Sequence, residues 1–131
     1  MPNIITTEVL LNDSRHIIIK INIVGGEDGE ETNTVIYDAS ALGQGINNKL
    51  RRIDYCLDGF SADLKWDATA NVPLITLAQD SPIQVDYDFC GGINNSAGTG
   101  KTGDILLTTN GLASTTLTGH IILCVDQKTV V

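Results

Sequence analysis

From Arg51 to Asp67 the chain alternates. Ile53, Tyr55 and Leu57, then Phe60, Ala62, Leu64 and Trp66, fall on one side, and Arg52, Asp54, Cys56, Ser61, Asp63 and Lys65 on the other. A period of two marks a strand with one buried face. Asp58-Gly59 sits between the two runs, and Asp-Gly is a favoured two-residue hairpin turn because both central residues need positive φ. The hairpin this predicts pairs Leu57 with Phe60, Tyr55 with Ala62 and Ile53 with Leu64, which keeps every apolar side chain on one side. The same register opposes Asp54 to Asp63 and Arg52 to Lys65, and like charges directly opposed are unfavourable. Three resolutions are open: the oppositely charged diagonals compensate, a bulge at Gly59 shifts the pairing, or another strand or subunit supplies partners. Tyr55 and Trp66 read as core.

The same pattern extends along the chain. Ile4 to Leu11 reads as a strand and Asn12-Asp13-Ser14 as a turn. Arg15 to Val24 is a second strand, with Ile17, Ile19, Ile21 and Ile23 on one face. Thr32 to Asp38 is a third, with Val35 and Tyr37 on one side. Ala39 to Leu50 reads as a long loop with room for one helical turn, because Gly43 and Gly45 weaken the helical spacing of Leu42, Ile46 and Leu50. Val72 to Leu77 is a short strand, and Pro73 assigns it to an edge or a strand start. Ile83, Val85, Tyr87 and Phe89 alternate with Gln84, Asp86, Asp88 and Cys90. Gly91 to Gly103 is a long polar loop, Asp104 to Thr109 a strand, Asn110-Gly111 a second hairpin turn, and Ser114 to Val125 the last strand. Eight or nine strands without a helix predict one all-β domain over residues 1–131, an antiparallel β-sandwich of jelly-roll type.

Composition narrows the function classes. No stretch is apolar for long enough to span a bilayer, and Met1-Pro2-Asn3 does not open a secretory signal, so synthesis in the cytoplasm and no membrane partner are expected. A formal net charge of −8 repels nucleic acid and suits docking on a basic partner. Cys56, Cys90 and Cys124 form no CxxC pair; they read as free thiols, with a disulfide to a neighbouring copy as the alternative.

Candidate chemistry is sparse. Gly25 to Glu31 is acidic but lacks EF-hand spacing, so it reads as a solvated loop. Gly100-Lys101-Thr102 copies the end of a phosphate-binding loop, yet the first glycine of that motif falls at Asn95 and a strand-like run follows where a helix is required. His16 and His120 each sit alone in an apolar strand and read as structural. Asp63 with Asp67, or Asp86 with Asp88, have the spacing of paired carboxylates on a strand face, which exposed faces also carry without catalysis. No Gly-x-Ser-x-Gly elbow occurs. No catalytic, cofactor or metal residues are therefore assigned, and the chain is read as a non-enzyme.

Two segments carry a resemblance. Leu64-Lys65-Trp66-Asp67-Ala68-Thr69-Ala70-Asn71-Val72-Pro73 resembles the WDAT…VP segment of small virion structural proteins of tailed bacteriophages. Gly91-Gly92-Ile93-Asn94-Asn95-Ser96-Ala97-Gly98-Thr99-Gly100-Lys101-Thr102-Gly103-Asp104-Ile105, with Asp88-Phe89 before it, resembles their GG.NNAG.G.TGDI signature. The resemblance spans residues 51 to 125. It implies a virion location and a capsid decoration or cement role on the outside of the major capsid protein shell, as a homo-oligomer, a trimer by preference. A neck, collar or tail accessory protein is the alternative within that class, and a carbohydrate-binding attachment module the alternative outside it. On this reading Asn94, Asn95 and Lys101 are candidate partner contacts, and Cys56, Cys90 and Cys124 candidate links between copies. No cofactor is implied.

Overall fold

A computed structural model describes residues 3–13, 16–26, 30–43, 48–80, 82–87, 92–112 and 117–127. Ten strands run in chain order: β1 Ile4–Asn12, β2 His16–Val24, β3 Thr34–Tyr37, β4 Asn48–Asp58, β5 Ser61–Trp66, β6 Val72–Leu77, β7 Ile83–Asp86, β8 Ile93–Asn94, β9 Ile105–Asn110 and β10 Thr118–Gln127. They form two antiparallel sheets. The larger has the order β1-β2-β10-β4-β7, with β8 also paired to β4, and the smaller the order β3-β9-β5-β6. All-β architecture is thus as expected, with β8 an addition inside what reads in sequence as unbroken loop. The order β2-β10-β4-β7 facing β3-β9-β5-β6 is that of a jelly roll, to which β1 adds one further strand at an edge.

The buried faces are the alternating ones. Ile17, Ile19, Ile21 and Ile23 of β2, Ile53, Tyr55 and Leu57 of β4, and Ile121, Leu123 and Val125 of β10 line the inside of the larger sheet. Ala62, Leu64 and Trp66 of β5, with Ile105 and Leu107 of β9, answer them from the smaller sheet.

The hairpin expected at Asp58-Gly59 is not formed. β4 pairs with β10 and β7 in one sheet, and β5 with β6 and β9 in the other. The chain turns a corner there: Gly59 has φ +86, while Asp58 is absent from the residues with positive φ, so the two-residue turn is not the one Asp-Gly usually makes. A continuous apolar face suits a corner as well as a hairpin, because both strands still point it at the same core. The opposed charges disappear with the hairpin. Asp54 lies opposite Gln84 and Ile122, and Asp63 opposite Thr76 and Thr108. Asn110-Gly111 likewise leads out of β9 in one sheet toward β10 in the other, again a corner.

Bulges correct the remaining faces. β10 skips Arg51 of β4, since Cys124 faces Arg52 and Val125 faces Leu50. Strict alternation would aim Arg51 at the core beside Ile53; the extra residue puts Leu50 there instead, fully buried. In β3 the register shifts between Val35 and Tyr37, so the two do not share a side: Tyr37 is buried and Val35 is 45% exposed. Pro73 lies in β6, an edge strand, as its missing N–H requires.

The corner has a measurable consequence. A double-mutant cycle on Asp54 and Asp63 should show coupling below about 0.3 kcal/mol, as expected of sites without shared partners. Asp63 and Thr76, whose hydroxyl donates to Asp63 Oδ1 at 2.8 Å, should be coupled more strongly than that in the matching cycle. Urea unfolding of the single and double variants reads both.

Candidate functional site

The two segments that carry the resemblance meet in space. Asp67 follows β5, and its N–H donates to Asp104 O at 3.0 Å while its carbonyl accepts from Thr102 N at 3.3 Å. The Thr102 hydroxyl donates to Asp67 Oδ2 at 2.8 Å, and Thr69 N–H donates to Thr99 O at 3.1 Å. Gly100, at φ +80, lies so close over Thr69 that a Cβ would fall 3.1 Å from the Thr69 nitrogen. Residues 98–104 are therefore a clasp over the end of β5, held by backbone bonds and a carboxylate. The turn leads into β9 rather than a helix, and the Thr102 hydroxyl is engaged by Asp67, so the phosphate-loop likeness has no structural basis.

A second layer ties the loop to β4. Asn95 Nδ2 donates to Asn48 Oδ1 at 3.1 Å, Asn48 Nδ2 donates to Gly103 O at 2.8 Å, and Asn95 N–H donates to Asn48 O at 2.8 Å. Both side chains are buried. Of the three candidate contact residues, Asn95 is thus an internal strut. Asn94 is exposed at the end of β8, and Lys101 is half-buried on the clasp.

Asp104 closes the assembly, accepting Ala39 N–H at 2.8 Å. Burial raises its pKa above the usual carboxylate range, the Ala39 bond lowers it, and the neighbouring Asp38 and Asp67 charges raise it again, with a net upward shift. Glu30 shifts the other way. Burial works against it, but the N–H groups of Gly111 and Leu112, at 2.6 and 2.7 Å, and the Thr109 hydroxyl hold the carboxylate below its ordinary pKa.

The remaining candidate residues are dispersed. Cys56 and Cys124 are free, half-buried thiols on the outer face of the larger sheet. Cys124 lies opposite Arg52 and Cys56 opposite His120, four residues further along β4, or roughly 13 Å at about 3.3 Å per residue. One disulfide cannot span that. Burial pushes the Cys124 thiol pKa up, with smaller opposing contributions from the nearby charges. Cys90, Asp88 and Phe89 lie outside the described residues. Asn22, His120 and Cys56 share one row across β2, β10 and β4, beside an open depression of about 840 Å³ that Asp58 and Asp80 also line. Asp63 and Asp67 serve Thr76 and Thr102 separately and do not converge.

His16 has a partner that sequence reasoning missed. Its Nδ1 lies 2.8 Å from Asp126 Oδ1, and Arg51 donates to Asp126 Oδ2 at 2.9 Å. The side chain of Asp126 is 12% exposed. The bulge that removes Arg51 from the core is what delivers its guanidinium here, and no local sequence signal places residue 126 beside residue 16. Among the described residues no group of three His, Cys, Asp or Glu side chains could hold a metal ion. Tyr37, Tyr55, Phe60 and Trp66 are buried and Tyr87 half-buried, which leaves no exposed aromatic platform among the described residues.

What is exposed is an edge. Every large apolar side chain exposed among the described residues, Ile4, Val9, Leu10, Leu11, Val24 and Val35, lies on β1, the adjoining end of β2, or β3. Ile5, Thr7 and Val9 pair with Ile23, Ile21 and Ile19 and so face inward. β1 has no counterpart in the smaller sheet, whose edge on that side is β3. A groove of about 240 Å³ lined by Thr7, Val9, Val35 and Leu42 marks the gap. Sequence carries a faint sign of it: Ile4, Ile5, Val9, Leu10 and Leu11 do not alternate, as a strand with a single buried face would.

No family model matches the chain, and no curated protein is similar to it.

Asn48→Ala leaves the Gly103 carbonyl and the Asn95 amide buried without their partner, and should cost about 2–3 kcal/mol by thermal or urea unfolding. Asp104→Asn keeps an acceptor for Ala39 N–H and removes a charge facing Asp38 and Asp67. A raised folded pKa means that ionising Asp104 opposes folding. Its contribution is fully present below the ordinary aspartate pKa and is lost as pH rises through the folded value. The variant should therefore match the wild type in acid and equal or exceed it at neutral pH, by less than about 1 kcal/mol at this partly solvated position, and melting curves across that range check it.

Proposed function

We propose that this chain is a structural protein of a tailed-bacteriophage virion, a decoration protein that binds the outer surface of the major capsid protein shell and stabilises it. One observation carries the reading: the apolar edge along β1 and β3, an uncovered surface of the kind that another protein covers. Three further features support it. The segments that resemble virion proteins fold together into one clasp, so the likeness falls on a single structural unit. The net charge of −8 favours an outer position over contact with packaged nucleic acid. Asp67, Asp104 and Glu30 are engaged in holding loops, and Asp126 ties β10 to His16 of β2 and Arg51 of β4. Many copies of a modest interface add up over a symmetric shell to a large stabilisation.

Imaging of intact particles tests the proposal. The expected result is density for this jelly roll outside the shell, at junctions between capsid subunits, with copies numbering on the order of hundreds as shell symmetry dictates. A ring of about a dozen copies at the neck, also a closed symmetric assembly, would instead support the accessory-protein reading. Particles lacking the chain should lose their contents at lower temperature than complete ones.

A further inference from the structure

The sandwich has four edges, and three are blunted. β3 has four residues and an internal register shift, β6 carries Pro73, and β7 has four residues. Short strands, bulges and proline are the usual devices that stop a sheet from growing. β1 has few of them. It is nine residues long, it pairs on one side only, and its register is regular over the six residues from Ile4 to Val9, with a shift only beyond them, between Val9 and Leu11. Both ends are fastened: Asn3 accepts Gly26 N–H at 2.7 Å and donates to Glu31, while Asn12 Nδ2 donates to Leu42 O at 3.2 Å. The strand is a fixed template rather than a frayed arm.

We infer that β1 pairs with β1 of a second copy, antiparallel across a two-fold axis, joining the two larger sheets into one. The inference rests on the proposed structural role and names the unit that docks.

Charge and register select this occupant. The chain is acidic, so most of its surface repels a second copy. β1 holds one charged residue, Glu8, and Lys20 lies directly opposite it on β2. With the axis normal to the sheet, paired residues must share a face, which restricts the register to steps of two. Centring on Glu8 opposes the two carboxylates. Centring on Thr6 sets Glu8 against Ile4. Centring on Thr7 sets Ile5 against Val9 and Thr6 against Glu8 within the regular stretch, so apolar meets apolar and the carboxylate meets a hydroxyl. Of these three registers only the last is self-complementary over the regular stretch from Ile4 to Val9. An isologous contact of this kind closes at two copies, whereas the trimer that the resemblance implies needs a head-to-tail contact.

Thr6 reports the register. It is exposed on the outer face and opposite Asn22, so its replacement leaves the core untouched. Sedimentation equilibrium of the full chain under reducing conditions should show a monomer–dimer equilibrium. Thr6→Glu places a second carboxylate against Glu8 of the other copy, twice per dimer, and should weaken association roughly tenfold. Thr6→Lys makes the same two contacts attractive and should tighten it by a similar factor. Equal far-ultraviolet circular dichroism and melting temperature verify that both variants fold. A monomer at every concentration, a trimer, or a dimer indifferent to both substitutions would overturn the inference. The decoration role is read separately, from the position of the chain on particles: a monomeric chain found on the shell removes this inference and leaves that role standing.

Discussion

Two apolar faces have to close over one another, and neither sheet has an inside without the other. That requirement governs the rest of the structure. The side chains of Ile21, Tyr55 and Ile121 fill the space above Leu64, Trp66 and Leu107 only because β4 and β5, adjacent in sequence, lie in opposite layers. Six of the nine connections between successive strands change sheet, and every change must carry an inward face through a bend without turning it outward. Gly59 does this at one corner. At the other, Glu30 reaches from a distant part of the chain to bond Gly111 and Leu112, and brings the chain out of β9 toward β10. Its lowered pKa makes that contribution present above the ordinary glutamate range and lost as pH falls through the folded value.

The inward faces were legible because burial acts locally on each residue: a strand in a sandwich alternates whichever strand lies beside it. Ile17 to Ile23 and Ile53 to Leu57 therefore declare themselves in sequence. Pairing partners do not. Asp58-Gly59 has a strong local preference for a tight turn, worth little against the burial of Phe60, Leu64 and Trp66 on the opposite layer. The charge pattern held the correction in advance, since Asp54 and Asp63 could not comfortably face one another, and strand partners for both lay far away in sequence. Bulges are harder still. Nothing around Arg51 announces that it is the extra residue, yet that one insertion sends its guanidinium to Asp126 and seats Leu50 in the core.

The loop between β8 and β9 shows how a signature can be distinctive without being a binding site. Its glycines and asparagines look free for contact in sequence. In the fold, Asn95 and Asn48 satisfy each other and Gly103 underneath the surface, and Gly100 presses on Thr69 where no side chain fits. Buried polar groups and positive φ limit substitution severely. A pattern with the sequence character of Asn95, Gly100, Thr102 and Asp104 therefore reports how the loop is built. Likeness in this segment speaks to a shared architecture, and the surfaces that choose a partner are free to differ from one chain to the next.

The exposed apolar surface lies elsewhere, along β1 and β3. The larger sheet is one strand wider on the β1 side than the layer that covers it, so Ile5, Thr7 and Val9 face inward over a gap bounded by Val35 and Leu42. An overhang of this kind costs stability in an isolated chain, because apolar surface there stays in water. The remedies used elsewhere in the molecule, Pro73 in β6 and the shortness of β3 and β7, were available and are absent. Instead Asn3 and Asn12 fasten the strand at both ends. Fixing an uncovered edge lowers the entropy that the inferred strand pairing would lose. The net charge of −8 opposes close approach of two copies, and the inferred pairing meets least of that repulsion along β1, where Glu8 is the single charged residue and faces Lys20.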